Sequence, residues 1–133
     1  MGELMSATAP KHFDVDVLAR LAHTEEIEID TPRPEAPAAI HPTTIWVVVV
    51  GDTVYVRSWK GQAGRWYQEA RARSKAVVYL DGHPIPVRAV PVTDDAAIAQ
   101  VSEAYREKYP DDPFMPSMLR DDVLPTTLRL EPL

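Results

Sequence analysis

Seven consecutive residues, Thr44-Ile45-Trp46-Val47-Val48-Val49-Val50, are almost wholly apolar and mostly β-branched, and Gly51-Asp52 follows at once. Such a run favours one extended strand buried on both faces, as in the wall of a closed barrel, because branched side chains pack well on a pleated surface. Gly51 accepts the positive φ that a tight, twisted hairpin needs. The return strand, Thr53-Val54-Tyr55-Val56-Arg57-Ser58, alternates: Val54 and Val56 share one face, while Thr53, Tyr55 and Arg57 share the other.

Beyond that strand the pattern changes. Ser58 to Gly64 has no apolar period and holds two glycines, and from Arg65 the spacing turns helical, with Trp66 and Ala70 on one side and Tyr67 and Arg71 on another. The first N–H groups of a helix lack intrahelical partners and carry the positive end of the aligned peptide dipoles. An anion is therefore favoured beside Gly61 to Gly64, where Arg57, Ser58, Lys60, Gln62 and Arg65 offer further donors. Charge distribution agrees. The whole chain is at −6, yet residues 57–75 hold six cations against Glu69 alone. A patch of that width suits a small anion, whereas a nucleic-acid backbone needs a broader basic surface. The competing reading is an exposed basic helix, with Trp59 and Trp66 as core or edge aromatics.

With 133 residues and no repeats, the chain reads as one domain, 1–133, in which 1–11 form a flexible start. The absence of cysteine excludes thiol catalysis, disulfides and thiolate metal sites. His12, His23, His41 and His83 have no paired-ligand spacing, so no metal site is expected. A serine-nucleophile elbow is missing, and Asp94-Asp95, Asp111-Asp112 and Asp121-Asp122 sit where turns and helix caps explain them. No apolar run is long enough to span a bilayer. Gly2 and Ser6 fit a loose myristoylation pattern without a polybasic second signal, so a cytoplasmic protein with no membrane contact is expected.

The remaining segments complete a mainly β (α+β) chain. Phe13, Val17, Leu18 and Leu21 predict a helix through Leu21, and Glu26–Asp30 alternates as a strand that ends in a proline-rich loop, Thr31 to Pro42. Ala76–Leu80, Asp81-Gly82 and Ile85–Val92 predict a hairpin whose Pro84, Pro86 and Pro91 demand edge or bulged positions. Thr93 is the expected cap of a helix striped by Ala97, Ile98, Val101, Ala104 and Tyr105, which Pro110 to Pro113 stop. Thr126–Leu130 is the expected closing strand. Strands outnumber helices and do not alternate with them, which favours a small barrel with peripheral helices over a doubly wound sheet.

The order of these elements, with Thr53–Gly61, Arg65–Ala70, Asp81-Gly82 and Val87–Val90, resembles the flavin-binding split-barrel superfamily. The likeness is to its deazaflavin-dependent, nitroreductase-like branch and to the bacterial DUF2255 family, and covers roughly residues 43 to 130. It implies a split β-barrel of about six strands with peripheral helices, a homodimer, and a cofactor phosphate or phosphate-bearing tail at the strand end and turn. Residue by residue, that assigns cofactor binding to Arg57, Ser58, Lys60, Gly61, Gln62, Arg65 and Trp66. The implied activity is a flavin- or deazaflavin-dependent oxidoreductase, here expected to act on a small apolar or aromatic substrate. For it the residues themselves offer Trp46, Trp66 and Tyr109 as pocket lining, Tyr105 beside the substrate, and Tyr109, with Tyr105 and Lys108 near it, as proton donor, against the competing reading that each ring packs in the core. Deazaflavin-using relatives carry a basic glycine turn where this chain has Thr31 to Pro37, with Arg33 opposed by Glu35. FMN, deazaflavin (F420) and no cofactor therefore all stay open, the last as a cofactor-independent cyclase or isomerase, or as a barrel that only binds a small molecule.

Overall fold

The computed structural model describes residues 12–32 and 42–133. The expectations for residues 1–11, Arg33, Glu35 and most of the proline-rich loop lie outside the described residues.

Helix α1 (Val15–His23) precedes β1 (Glu26–Asp30), and two short strands, β2 (Thr43–Trp46) and β3 (Val48–Val50), are separated only by Val47. Next come β4 (Thr53–Val56), helix α2 (Arg65–Arg73), β5 (Lys75–Leu80), β6 (His83–Pro91), helix α3 (Asp95–Lys108) and β7 (Leu128–Pro132). Every pairing is antiparallel, in the order β2-β1-β5-β6-β7-β4-β3. The two outermost strands are thus halves of one bent segment, which closes the sheet on itself and leaves no long free edge. Counted that way, the barrel has six walls, as expected.

The single strand expected over 44–50 is corrected at Val47. Its N–H meets the Tyr109 hydroxyl, and its C=O accepts from Lys108 Nζ and from that hydroxyl, so its backbone groups are satisfied from α3. The bend lets one segment pair with β1 on one side and with β4 on the other. Its apolar character on both faces also has a cause. Ile45 and Val47 join the barrel interior with Ile27, Ile29, Val54, Val56, Val78, Val87 and Leu130. Val48 points the other way, into a second cluster with Val101, Tyr105, Tyr109, Met118 and Val123 beneath α3.

Local chemistry sets the turns. Gly51 (φ +63°) makes the β3–β4 hairpin, and Asp81 (φ +52°) with Gly82 (φ +81°) makes the β5–β6 hairpin. Asp94, not Thr93, caps α3, accepting from the Ala97 N–H at 3.0 Å. The closing strand begins two residues later than expected because a short 3₁₀ turn takes Leu124–Thr126. β6 lies inside the sheet, yet its prolines are tolerated. Pro84 and Pro86 fall where β7 has ended, since the β6–β7 register begins at Val87 opposite Pro132.

Candidate functional site

A cavity of about 410 Å³ opens where the bent strand, the β4 end and the start of α2 meet. Thr43, Thr44, Ile45 and Trp46 line it from β2, and Glu26 from the neighbouring β1. Arg57, Ser58, Trp59 and Lys60 come from the turn after β4, Gly64, Arg65 and Trp66 from the start of α2, and Phe114 and Met118 from the segment after α3.

The turn that presents the cations is folded tightly. Ser58 Oγ donates to the Gly61 C=O at 2.7 Å, and the Ser58 N–H donates to Thr126 Oγ1 at 3.0 Å. Gly61 adopts φ +67°, and a Cβ there would lie 3.1 Å from the Asp122 C=O. Gly64 has an ordinary φ, but a Cβ on it would overlap Ser58 Oγ, so glycine is required for the turn to close against the helix start. No side chain caps α2, whose first intrahelical bond runs from the Gln68 N–H to the Gly64 C=O. By helix geometry the N–H groups of the first turn, at Arg65, Trp66 and Tyr67, have no acceptor within the helix. Lys60 and Arg65 are exposed beside them. Among the described residues Arg65 pairs with Glu69 at 3.8 Å with 83% of its side chain in solvent, a pair too weak to fix it.

Aromatic surface supplies the walls. Trp66 is almost buried, and Trp46 is half-buried with its ring stacked on Tyr109, centroids 4.1 Å apart and planes 9° apart. Trp59 (49% exposed) and Phe114 (60% exposed) meet edge to face at 6.3 Å, on the open side.

Of the residues assigned from sequence, Arg57, Ser58, Lys60, Arg65, Trp66 and Trp46 are brought to this cavity. Gly61 shapes the turn, and Gln62, exposed, accepts a Gln68 Nε2 hydrogen bond through its C=O; neither lines the cavity. Arg57 as a free donor to the anion is corrected. It is 1% exposed, with Nε on Thr127 Oγ1 (2.9 Å), Nη1 on Ser102 Oγ and the Met118 C=O (3.0 Å each), and Nη2 on the Ile98 C=O (2.9 Å). Burial lowers its pKa, partly offset by the Tyr105 ring below it, 5.4 Å from the guanidinium carbon.

Tyr105 and Tyr109 also leave the site. Tyr105 is fully buried under Arg57, and burial pushes its phenol well above the usual range. The Tyr109 hydroxyl donates to the Glu25 C=O at 2.8 Å and shares Val47 with Lys108 Nζ, and burial raises its pKa as well. A phenol tied to backbone outside the cavity is a brace, not a proton donor, so the catalytic assignment of Tyr109 is corrected. What it braces matters: Glu25 and Val47 each adjoin a cavity residue, Glu26 and Trp46.

Residues 17–130 match the family described as an uncharacterized protein conserved in bacteria, DUF2255. The chain belongs to DUF2255. No curated protein matches the sequence. Solved structures with the same split-barrel fold include HutZ, the heme storage protein from Vibrio cholerae, at TM-score 0.66 and 10% identity over 92% of this chain and 91% of that one. A protein assigned as a pyridoxamine 5'-phosphate oxidase from Listeria innocua aligns at TM-score 0.58 and 16% identity, covering 89% and 90%. An F420 reductase aligns at 0.50 and 13%, covering 86% and 91%. At these identities the likeness is one of fold.

In this DUF2255 chain the sequence reading missed Glu26, Thr43, Thr44, Ile45, Trp59, Phe114 and Met118 as lining residues. Glu26 was recoverable in principle, because a strand that pairs with β2 must place an outward residue beside Trp46. Phe114 and Met118 follow α3 in irregular chain, where periodicity carries no signal. Among the described residues no group of three or more His, Asp or Glu could hold a metal ion, and no helix is long and apolar enough to cross a membrane.

Proposed function

We propose that the protein is a flavin- or deazaflavin-dependent oxidoreductase acting on a small apolar or aromatic substrate. One observation carries this reading: two indoles, Trp46 and Trp66, share a cavity of about 410 Å³ with the uncapped start of α2, Lys60 and Arg65. That volume lies in the range of ligand pockets, roughly 300–1,000 Å³. Flat aromatic walls beside orphaned N–H groups and two exposed cations match a planar ring that carries a phosphate. The residues therefore fit the group. Lys60, Arg65 and the N–H groups of the first turn of α2 would hold the phosphate, and Trp46 and Trp66 would lie against the ring.

Hydride transfer is the chemistry such a cofactor supplies when bound. The chain's own part is binding, orientation and exclusion of water. Ile45 and Met118 give apolar lining, and the Tyr109 stack keeps the Trp46 ring from turning. Trp59 and Phe114 leave apolar surface on the open side for a substrate, and in the homodimer that the family resemblance implies, a second copy would cover it.

Calorimetric titration with FMN, riboflavin and F420 tests the reading. FMN or F420 binds at micromolar affinity, riboflavin binds more weakly for want of the phosphate, and Lys60→Ala or Arg65→Ala weakens FMN but not riboflavin. Absence of binding by all three overturns the proposal in favour of a cofactor-independent enzyme or a binding barrel.

A further inference from the structure

The register of β3 on β4 runs into the cavity and stops there. Val50 lies opposite Thr53 and Val48 opposite Tyr55. Carried on unbroken, the same register would set Trp46 opposite Arg57 and Thr43 opposite Lys60. Those two runs, Thr43–Trp46 and residues 57–60, line the cavity from either side, and among the described residues no hydrogen bond joins them. The cavity is thus the part of the ladder that fails to zip beyond Val47. Its backbone groups face the right way for a further rung. Val47 turns its N–H to the Tyr109 hydroxyl and its C=O to Lys108, and such groups alternate along an extended chain, so those of Trp46 turn the other way, toward Arg57. The Ser58 N–H is spent on Thr126 Oγ1, on the β7 side, so by the same alternation the Arg57 N–H turns toward Trp46. The Tyr105 hydroxyl lies close enough to that N–H for its pKa to be lowered by it, yet this buried oxygen makes no hydrogen bond.

A buried donor left unpaired is costly, so something must oppose the missing rung. Two consecutive side chains at the end of α3 do. Lys108 Nζ donates to the Val47 C=O at 2.6 Å and to the Leu21 C=O in α1 at 3.0 Å. The Tyr109 hydroxyl accepts from the Val47 N–H at 3.3 Å and donates to the Glu25 C=O, just before β1, at 2.8 Å. Both anchors, Leu21 and Glu25, lie on the α1–β1 side of the bend, so both side chains draw Val47 away from β4. The Tyr109 ring, stacked on Trp46, holds the next residue on the same side.

We propose that Lys108 and Tyr109 are positioning residues that hold the cavity open: they pin Val47 to α1 and β1, and so stop the β3–β4 ladder from extending through Trp46 and Arg57 and closing the space between them. The effect on binding rests on this cavity being the ligand site; the clamp itself does not.

Amide hydrogen exchange, followed residue by residue in the full chain without ligand, tests the clamp in Tyr109→Phe and in the double variant Lys108→Met/Tyr109→Phe. Loss of packing alone lowers protection at every amide near Val47. A released clamp instead raises it at Trp46, by about tenfold for one added backbone hydrogen bond, while Val48 and Tyr55 keep theirs. FMN then binds the double variant about tenfold more weakly, because the new rung must part first. A second measurement serves if the double variant does not fold. Thr44→Cys and Trp59→Cys, opposite each other in the extended register, form a single thiol pair in a chain that has no cysteine. With glutathione disulfide taking up the two electrons and two protons, that pair closes about fivefold faster once Tyr109→Phe is added. Trp46 protection that falls or stays level, or an unchanged rate of disulfide closure, overturns the clamp. Raised protection at Trp46 in a protein whose wild type binds no FMN supports the clamp and overturns only the ligand reading.

Discussion

Replacing Arg57 by lysine keeps the charge and separates a structural cation from a ligand-binding one. The guanidinium reaches four acceptors on three segments: Ile98 and Ser102 in α3, Met118 in the 3₁₀ turn after it, and Thr127 before β7. A lysine ammonium donates from a single point at the end of a different stem, so it can keep one or two of these contacts and abandons the rest. A hydrogen bond from a charged donor contributes about 1.5–3 kcal/mol net, and the buried acceptors left behind add a desolvation cost. Losing two such bonds therefore costs about 3–6 kcal/mol, a large part of the roughly 5–15 kcal/mol that holds a domain together. Equilibrium urea unfolding with an unchanged denaturant slope measures it directly. At a few degrees per kcal/mol, the midpoint of thermal unfolding should fall by about 10–20 °C. A loss below about 1 kcal/mol would refute the reasoning and return Arg57 to the list of ligand arms.

Three further outcomes follow from the same geometry. Gly64→Ala, whose new methyl meets Ser58 Oγ, should cost about 1–3 kcal/mol and weaken FMN binding, read by urea unfolding and titration, as the turn is forced off the helix start. Tyr109→Phe should cost about 1–2 kcal/mol, because the fully buried Val47 N–H loses its acceptor, and it should loosen Trp46, seen as a changed tryptophan emission. Burial lowers Lys108 from the usual 10.5 to about 8, so between pH 8 and 10.5 the unfolded chain binds more protons than the folded one and stability rises with pH. Lys108→Met should flatten that rise in urea midpoints measured across the window; a rise of equal size in the variant would assign it to other groups.

Much of the fold was legible because the signals were local. Periodicity located β1, α2 and the β5–β6 hairpin, Gly51 and Gly82 marked their turns, and the glycine-punctuated turn that carries Lys60 and Arg65 into α2 was legible as a local change of pattern, with Lys60 and Arg65 both on the cavity wall. The errors at Arg57, Tyr109 and Val47 share one cause. Alternation correctly set Tyr55 and Arg57 on the face opposite Val54 and Val56, but it could not say that this face lies under α3. A position that reads as outward was therefore buried, and Arg57 became a hub between elements. Tyr109 was misassigned for the same reason: its partners, Glu25 and Val47, are 84 and 62 residues away in sequence. The bend at Val47 depends on those contacts too, so a local reading gives one strand where the folded chain has two.

The central claim, that the Trp46–Trp66 cavity at the start of α2 is the ligand site, is tested most directly by titrating isotopically labelled protein with FMN and following amide and indole resonances. The account predicts saturable shifts at Ser58, Lys60, Arg65 and the indole N–H groups of Trp46 and Trp66, with Val77 and Val90 on other walls of the barrel unmoved. Saturable binding whose shifts fall elsewhere, or no shift at Trp46 and Trp66 with FMN in excess, would contradict it.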